Sequence, residues 1–118
     1  MLIRSQNKIS LVKFENIVVN INNINGKEII CWSQMNPGED EYISLGHYST
    51  KAKTMKVLDM IQEAYGDSEY TKYIIPEVCR VLSMKLKTEE NKAHTREIGE
   101  MLKKGMTFQM PADSEVVV

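Results

Sequence analysis

At 118 residues the chain has the size of one domain and can bury a core without disulfide or metal staples. Hydrophobic residues make up 42% and charged residues 26%, ordinary globular values that exclude disordered and collagen-like chains. A total of 15 Lys and Arg against 16 Asp and Glu leaves a net charge of -1, so no overall field draws the chain to nucleic acid or to an anionic membrane.

The opening stretch MLIRSQNKISLVKF lacks the continuous apolar run and small-residue cleavage site of a secretory signal. No segment approaches the roughly 20 apolar residues of a membrane span. A cytoplasmic protein with no membrane contact is expected.

Leu2, Ile3 and Arg4 form a short extended opening. Residues 9–24 are rich in β-branched side chains, and Ile17, Val19 and Ile21 alternate against Val18, Asn20 and Asn22, the period of a half-buried strand. The register changes near Glu15 and Asn16, where a turn or bulge is predicted. Asn23, Asn25 and Gly26 tolerate the positive φ of a tight hairpin, so residues 27–34 are the return strand. Residues 35–40 (MNPGED) make a second turn. Residues 41–48 form another alternating strand, with Tyr42, Ser44, Gly46 and Tyr48 on one face and Ile43, Leu45 and His47 on the other. Short polar turns between these strands favour an antiparallel meander.

Ser49 and Thr50 supply cap hydroxyls, and Ala52, Met55, Leu58, Ile61 and Tyr65 recur at helical spacing, widened by Val57 and Ala64. The pattern predicts a helix over residues 50–65, ended by Gly66 and covering the inner face of the meander. Residues 67–75 read as a separate helical piece. Pro76 suits the first turn of a further helix running to about residue 87. A break falls near residues 90–92, and Ile98, Met101 and Leu102 mark a last amphipathic helix that Gly105 ends. Residues 106–110 (MTFQM) read as a short strand and residues 111–118 as a flexible tail.

The residues that carry chemistry are sparse. His47 and His94 stand on different elements without H-x-x-H, H-E-x-x-H or Cys/His spacing, so no metal site or cofactor is expected. His47 reads more plainly as an ordinary strand histidine than as an acid-base group. Cys31 and Cys79 read as buried free thiols, and Glu39, Asp40 and Glu41 as a solvated turn. No GxSxG, GxxxxGK[ST] or GxGxxG motif is present.

Lys51, Lys53 and Lys56 crowd positive charge at a helix start, where the macrodipole disfavours it by about 0.3–1 kcal/mol per charge. An anion or nucleic-acid patch joined by Arg4 or Lys27 would offset that, although a screened solvent face is the plainer account. Trp32, the single tryptophan, fits a core or subunit interface better than a base-stacking platform.

The strings MLIRSQNK, LVKFENI, ISLGHYSTKAKTMKVLDMIQEAY and FQMPADSEV closely resemble a family of short uncharacterised proteins of Gram-positive bacteria and their prophages. The family plan runs MLIRSQ, a few strands, LGxYSTxEKAxxVLDxIxxAY, a variable segment and FQMPxDSEV. Ala52 stands where the family carries an acid, and the segment between Tyr65 and Phe108 is long. The resemblance implies an outline and an origin, and that MLIRS and TFQMP pair as neighbouring strands flanking the variable part.

The expected molecule is a single α+β domain over residues 1–110. It has a meander of four or five strands packed by one helix, a helical insertion over residues 66–105 forming a second layer or a dimer arm, and a short C-terminal strand. The expected function is a non-enzymatic module that binds a protein partner or itself, possible homodimerisation included. The alternative is a nucleic-acid-binding accessory or counter-defence factor using the basic helix start. The candidate interaction residues are Arg4, Trp32, His47, Lys51, Lys53 and Lys56.

Overall fold

The computed structural model describes residues 1–35, 41–74, 76–78, 80–81, 97 and 107–118. Residues 36–40 of the turn predicted over 35–40, Cys79, His94 and, residue 97 apart, the helical segments expected after residue 81 lie outside the described residues. In chain order the strands are β1 (Leu2–Arg4), β2 (Leu11–Lys13), β3 (Ile17–Ile21), β4 (Glu28–Ser33), β5 (Ile43–His47) and β6 (Thr107–Gln109). Helix α1 (Lys51–Tyr73) follows β5. The fold is α+β, as the patterning predicts.

The strands divide between two sheets rather than forming one meander. Phe14–Asn16 winds into a 3-10 turn where the hydrophobic register changes, and this turn separates β2 from β3. Before it, β1 lies centrally, antiparallel to β2 and parallel to β6, with Ile3 opposite Val12 on one side and Phe108 on the other. The outer ends of the chain therefore pair as the resemblance implies. After the turn, β3, β4 and β5 form a three-stranded antiparallel meander. Its first hairpin closes on Gly26, whose φ of 68° is left-handed and whose N–H reaches Asn22 O at 2.8 Å.

Strict alternation fails in β5. Ile29 pairs with Gly46 but Ile30 with Ser44, so Leu45 is the extra residue of a bulge. The kink turns both Leu45 and Tyr48 into the core while Tyr42 and Ile43 remain exposed. The core collects Ile3, Ile29, Cys31, Leu45, Tyr48, Val57, Ile61, Met110 and Val116, so both sheets, the helix and the C-terminal segment share it.

Thr50 caps α1 as predicted, its Oγ1 accepting from Lys53 N–H at 3.2 Å. The buried face keeps Val57 and Ile61 of the predicted stripe and differs elsewhere. Thr54, Val57, Ile61 and Ser68 point inward, whereas Ala52 and Met55 are exposed. Thr54 can occupy the core because its hydroxyl donates to Thr50 O one turn back, at 3.1 Å.

Gly66 does not end the helix. It lies exposed in the helical interior with open space where a Cβ would sit, and α1 continues to Tyr73, absorbing the piece expected to stand alone. Tyr65 on one side packs on Phe14, and Ser68 on the other is buried, so tertiary contacts straddle the glycine. Gly66→Ala is accordingly expected to raise the unfolding free energy by about 0.5–1 kcal/mol. A urea titration checks this, because alanine at a left-handed helix stop would destabilise instead.

The segment after β6 is packed rather than frayed. Pro111 is buried, Asp113–Glu115 forms a 3-10 turn, and Val116 enters the core; the exposed end is Val117 and Val118. A buried apolar side chain and a set of polar contacts at the start of α1 hold it there.

Candidate functional site

The densest polar convergence lies where the start of α1 meets the two chain ends. Gln6, just past β1, donates from Nε2 to His47 O at 3.1 Å and to Pro111 O at 3.2 Å, and its Oε1 accepts from His47 N–H at 2.9 Å. The Gln6 N–H also reaches Leu45 O at 2.8 Å. Tyr48 donates its hydroxyl to Pro111 O at 2.9 Å, and Gln109 Nε2 donates to Ser5 O at 3.0 Å. Burial, followed by the negative charges of Asp113 and Glu115, pushes the Tyr48 phenol above its ordinary range. It stays a neutral donor.

Asp113 completes the convergence. Its carboxylate accepts from Ser49 N–H at 2.7 Å and from Lys53 Nζ at 3.3 Å, and Lys53 Nζ also reaches Asp113 O at 2.9 Å. The first turn of α1 contains no acid of its own, so Asp113 brings the anion that the helix dipole favours from a distant part of the chain. The strings MLIRSQNK, LGHYST and FQMPADSEV thus converge on one clasp. Its hydrogen bonds tie both ends of the chain to the start of α1.

The Ser49 backbone N–H, more than the Ser49 and Lys53 side chains, holds the Asp113 carboxyl below its ordinary value, against an opposing push from burial. A lowered folded-state pKa gives a stabilisation that is complete above the unfolded value. It disappears as pH falls through the carboxylate range toward the folded value. Asp113→Asn is therefore expected to lower the urea midpoint at neutral pH and to match the parent once the medium is acid enough to protonate Asp113. A gap of constant size across that range would show that charge plays no part.

The candidate interaction residues do not assemble into one site. Arg4 is exposed on β1, its Nε donating to Lys8 O at 3.2 Å. Trp32 is half-buried on β4 opposite Val18, its indole Nε1 out of solvent with no acceptor among the described residues. Lys53 is engaged by Asp113, so the basic cluster loses its middle member. Lys51 and Lys56 are exposed.

His47 is an exposed residue of β5 that faces Glu28 across the β4–β5 pair. Its Nε2 lies 3.2 Å from Glu28 Oε2 and 3.4 Å from Ser44 Oγ. Both oxygens meet the same ring nitrogen, so the imidazole cannot relay a proton from Ser44 to Glu28 through its two nitrogens, as a serine nucleophile requires. Glu28 itself is buried, with one carboxylate oxygen lacking a partner among the described residues. Burial pushes the Cys31 thiol up to about 11, which leaves it protonated and inert.

Sequence reasoning missed a groove of about 230 Å³ between the β2–β3 turn and α1. Phe14, Ile17 and Val19 line one wall, and Leu58, Ile61, Gln62 and Tyr65 the other. The Phe14 and Tyr65 rings lie 4.6 Å apart at a 41° tilt. Burial, then the negative charges of Glu69 and Glu15, push the Tyr65 phenol up. The alternation of β3 and the helix spacing signalled each wall, but nothing local signalled that they would face each other with a gap.

Among the described residues no three His, Cys, Asp or Glu side chains gather as a metal site, and no helix is long and apolar enough to cross a membrane. Compared with protein-family models, curated proteins and solved structures, the chain gives no significant match.

Proposed function

We propose that this chain is a non-enzymatic interaction module of prophage type that assembles with itself or with a protein partner. The observation that carries the reading is an apolar stripe on the distal part of α1 and the helical residues after it. Tyr70 is 60% exposed, Tyr73 64%, Ile74 45%, Val78 50% and Val81 42%. Bonds from Ile74 N–H to Tyr70 O (2.9 Å) and from Val78 N–H to Ile74 O (3.1 Å) put Tyr70, Ile74 and Val78 on successive turns of one face. Apolar side chains exposed in such a row mark an interaction surface, since scattered single ones are the ordinary condition. The family resemblance supports the prophage origin, and the closed polar clasp supports a scaffold rather than a catalyst.

Light scattering across a concentration series, together with affinity capture from a host lysate, tests the reading. The parent is expected to self-associate or to capture a partner, and the double variant Ile74→Asp, Val78→Asp to lose that association while keeping its circular dichroism. Equal behaviour of parent and variant would overturn it. Nucleic-acid binding through Lys51, Lys53 and Lys56 is the weaker alternative because Asp113 engages Lys53. A gel shift at low salt, where phosphate contacts are strongest, addresses it directly.

A further inference from the structure

A second surface, independent of the helix stripe, lies at the outer edge of the meander. β3 pairs with β4 on one side, and among the described residues no strand lies on its other side. In the β3–β4 ladder Val18 faces Trp32 and Asn20 faces Ile30. Bonds from Gln34 N–H to Asn16 O (3.1 Å) and from Asn22 N–H to Glu28 O (2.9 Å) extend that ladder at both ends. The alternation of an antiparallel pair therefore directs the backbone groups of Asn16, Val18, Asn20 and Asn22 toward β4 and those of Ile17, Val19 and Ile21 outward, the Ile17 N–H being taken by Phe14 O. Among the described residues the Ile17 carbonyl has a long contact, 3.5 Å, from Gln34 Nε2. Ile17 and Val19 also line the groove with their side chains, so outward backbone groups and an apolar slot belong to the same residues.

Charge indicates the kind of occupant. From Asp59 to Glu69, α1 carries four carboxylates, Asp59, Glu63, Asp67 and Glu69, and no lysine or arginine. Among the described residues no salt bridge engages any of them. The charges of Glu69 and Glu15 both act on Tyr65, which lines the groove. Glu15, next to Phe14 in the chain, bonds the Met1 ammonium with one oxygen, while its second oxygen is buried with no partner among the described residues.

We propose that the β3 edge accepts an extended segment of a protein partner as an added strand, presenting aliphatic and lysine or arginine side chains on the face turned to α1. Main-chain bonds to Val19 and Ile21 supply the general affinity of strand addition, and alternate side chains supply the selectivity. Aliphatic groups fill the slot between Phe14 and Leu58. The stems of basic side chains lie along Tyr65 while their head groups reach toward Glu15 and Glu69.

The test is an NMR titration of the full isotope-labelled chain with a short peptide whose alternate residues are valine and lysine in turn, with threonine between them. Saturable shifts are expected at the Ile17, Val19 and Ile21 amides, weakening with salt, with affinity about tenfold lower when glutamate replaces the peptide lysines. Val19→Pro removes one outward N–H without touching the β4 ladder and is expected to weaken binding by about tenfold. Glu69→Lys leaves the backbone alone and should move the preference toward the glutamate peptide. Indifference to peptide charge, the absence of saturable shifts, or shifts confined to other residues would overturn the proposal. So would concentration-dependent shifts of the same amides in the protein alone, which would assign the edge to a second copy. The Ile74→Asp, Val78→Asp variant should bind the peptide as the parent does, so failure of one surface is distinguishable from failure of the other.

Discussion

Deleting residues 111–118 is expected to lower the unfolding free energy by on the order of 3–6 kcal/mol. The deletion exposes the core surface covered by Val116 and Pro111, which are buried. It also strips the Tyr48 hydroxyl and the Gln6 amide of the Pro111 carbonyl they share, and removes Asp113 from Ser49 and Lys53. Burying one aliphatic side chain contributes about 1.5–3 kcal/mol, and orphaning a buried hydroxyl costs about 1–3 kcal/mol, so the effects together reach this range. Domains of this kind hold roughly 5–15 kcal/mol in all, so the shortened chain should stand close to its unfolding threshold. Urea titration of both chains checks the expectation, and an unchanged midpoint would mean that the segment merely rests on the surface.

Ile3→Ala is expected to cost about 2–5 kcal/mol through lost burial and the cavity left behind. Ile3 is fully buried at the centre of its sheet, between Val12 of β2 and Phe108 of β6. The cavity cannot easily collapse because paired strands hold both sides at fixed spacing. Leu11→Ala on the neighbouring β2, where the side chain is exposed, is expected to stay within about 0.5 kcal/mol. Similar costs for the two substitutions would show that this sheet does not share the core.

The legible parts of the fold were those set by local chemistry. The turn at Asn25 and Gly26, the change of register at Glu15 and Asn16, and the Thr50 cap all occur where the residue types require them. The less legible parts were orientations. The α1 stripe was predicted to include Ala52 and Met55, which are exposed, and to leave out Thr54, which faces the core beside the predicted Val57 and Ile61, because a threonine that bonds its own helix backbone is as easily buried as an apolar residue. The candidate residues suffered the same limit: Lys53 reads as a free cation until Asp113, far along the chain, is found beside it. Each wall of the groove at Phe14 and Tyr65 was visible separately, but a slot exists only once two elements are placed against each other.

The sequence by itself determined an α+β chain with strands before the main helix, because hydrophobic period, turn residues and caps act over a few neighbouring positions. Only the tertiary structure decided that the strands split into two sheets, that β1 runs parallel to β6, that the helix passes through Gly66, and that the chain's last residues clasp the start of α1. These outcomes depend on contacts between residues distant along the chain, such as Gln6 with Pro111 or Gln109 with Ser5. A glycine stop signal worth about 1 kcal/mol yields to such packing, since burial on both sides of it contributes more.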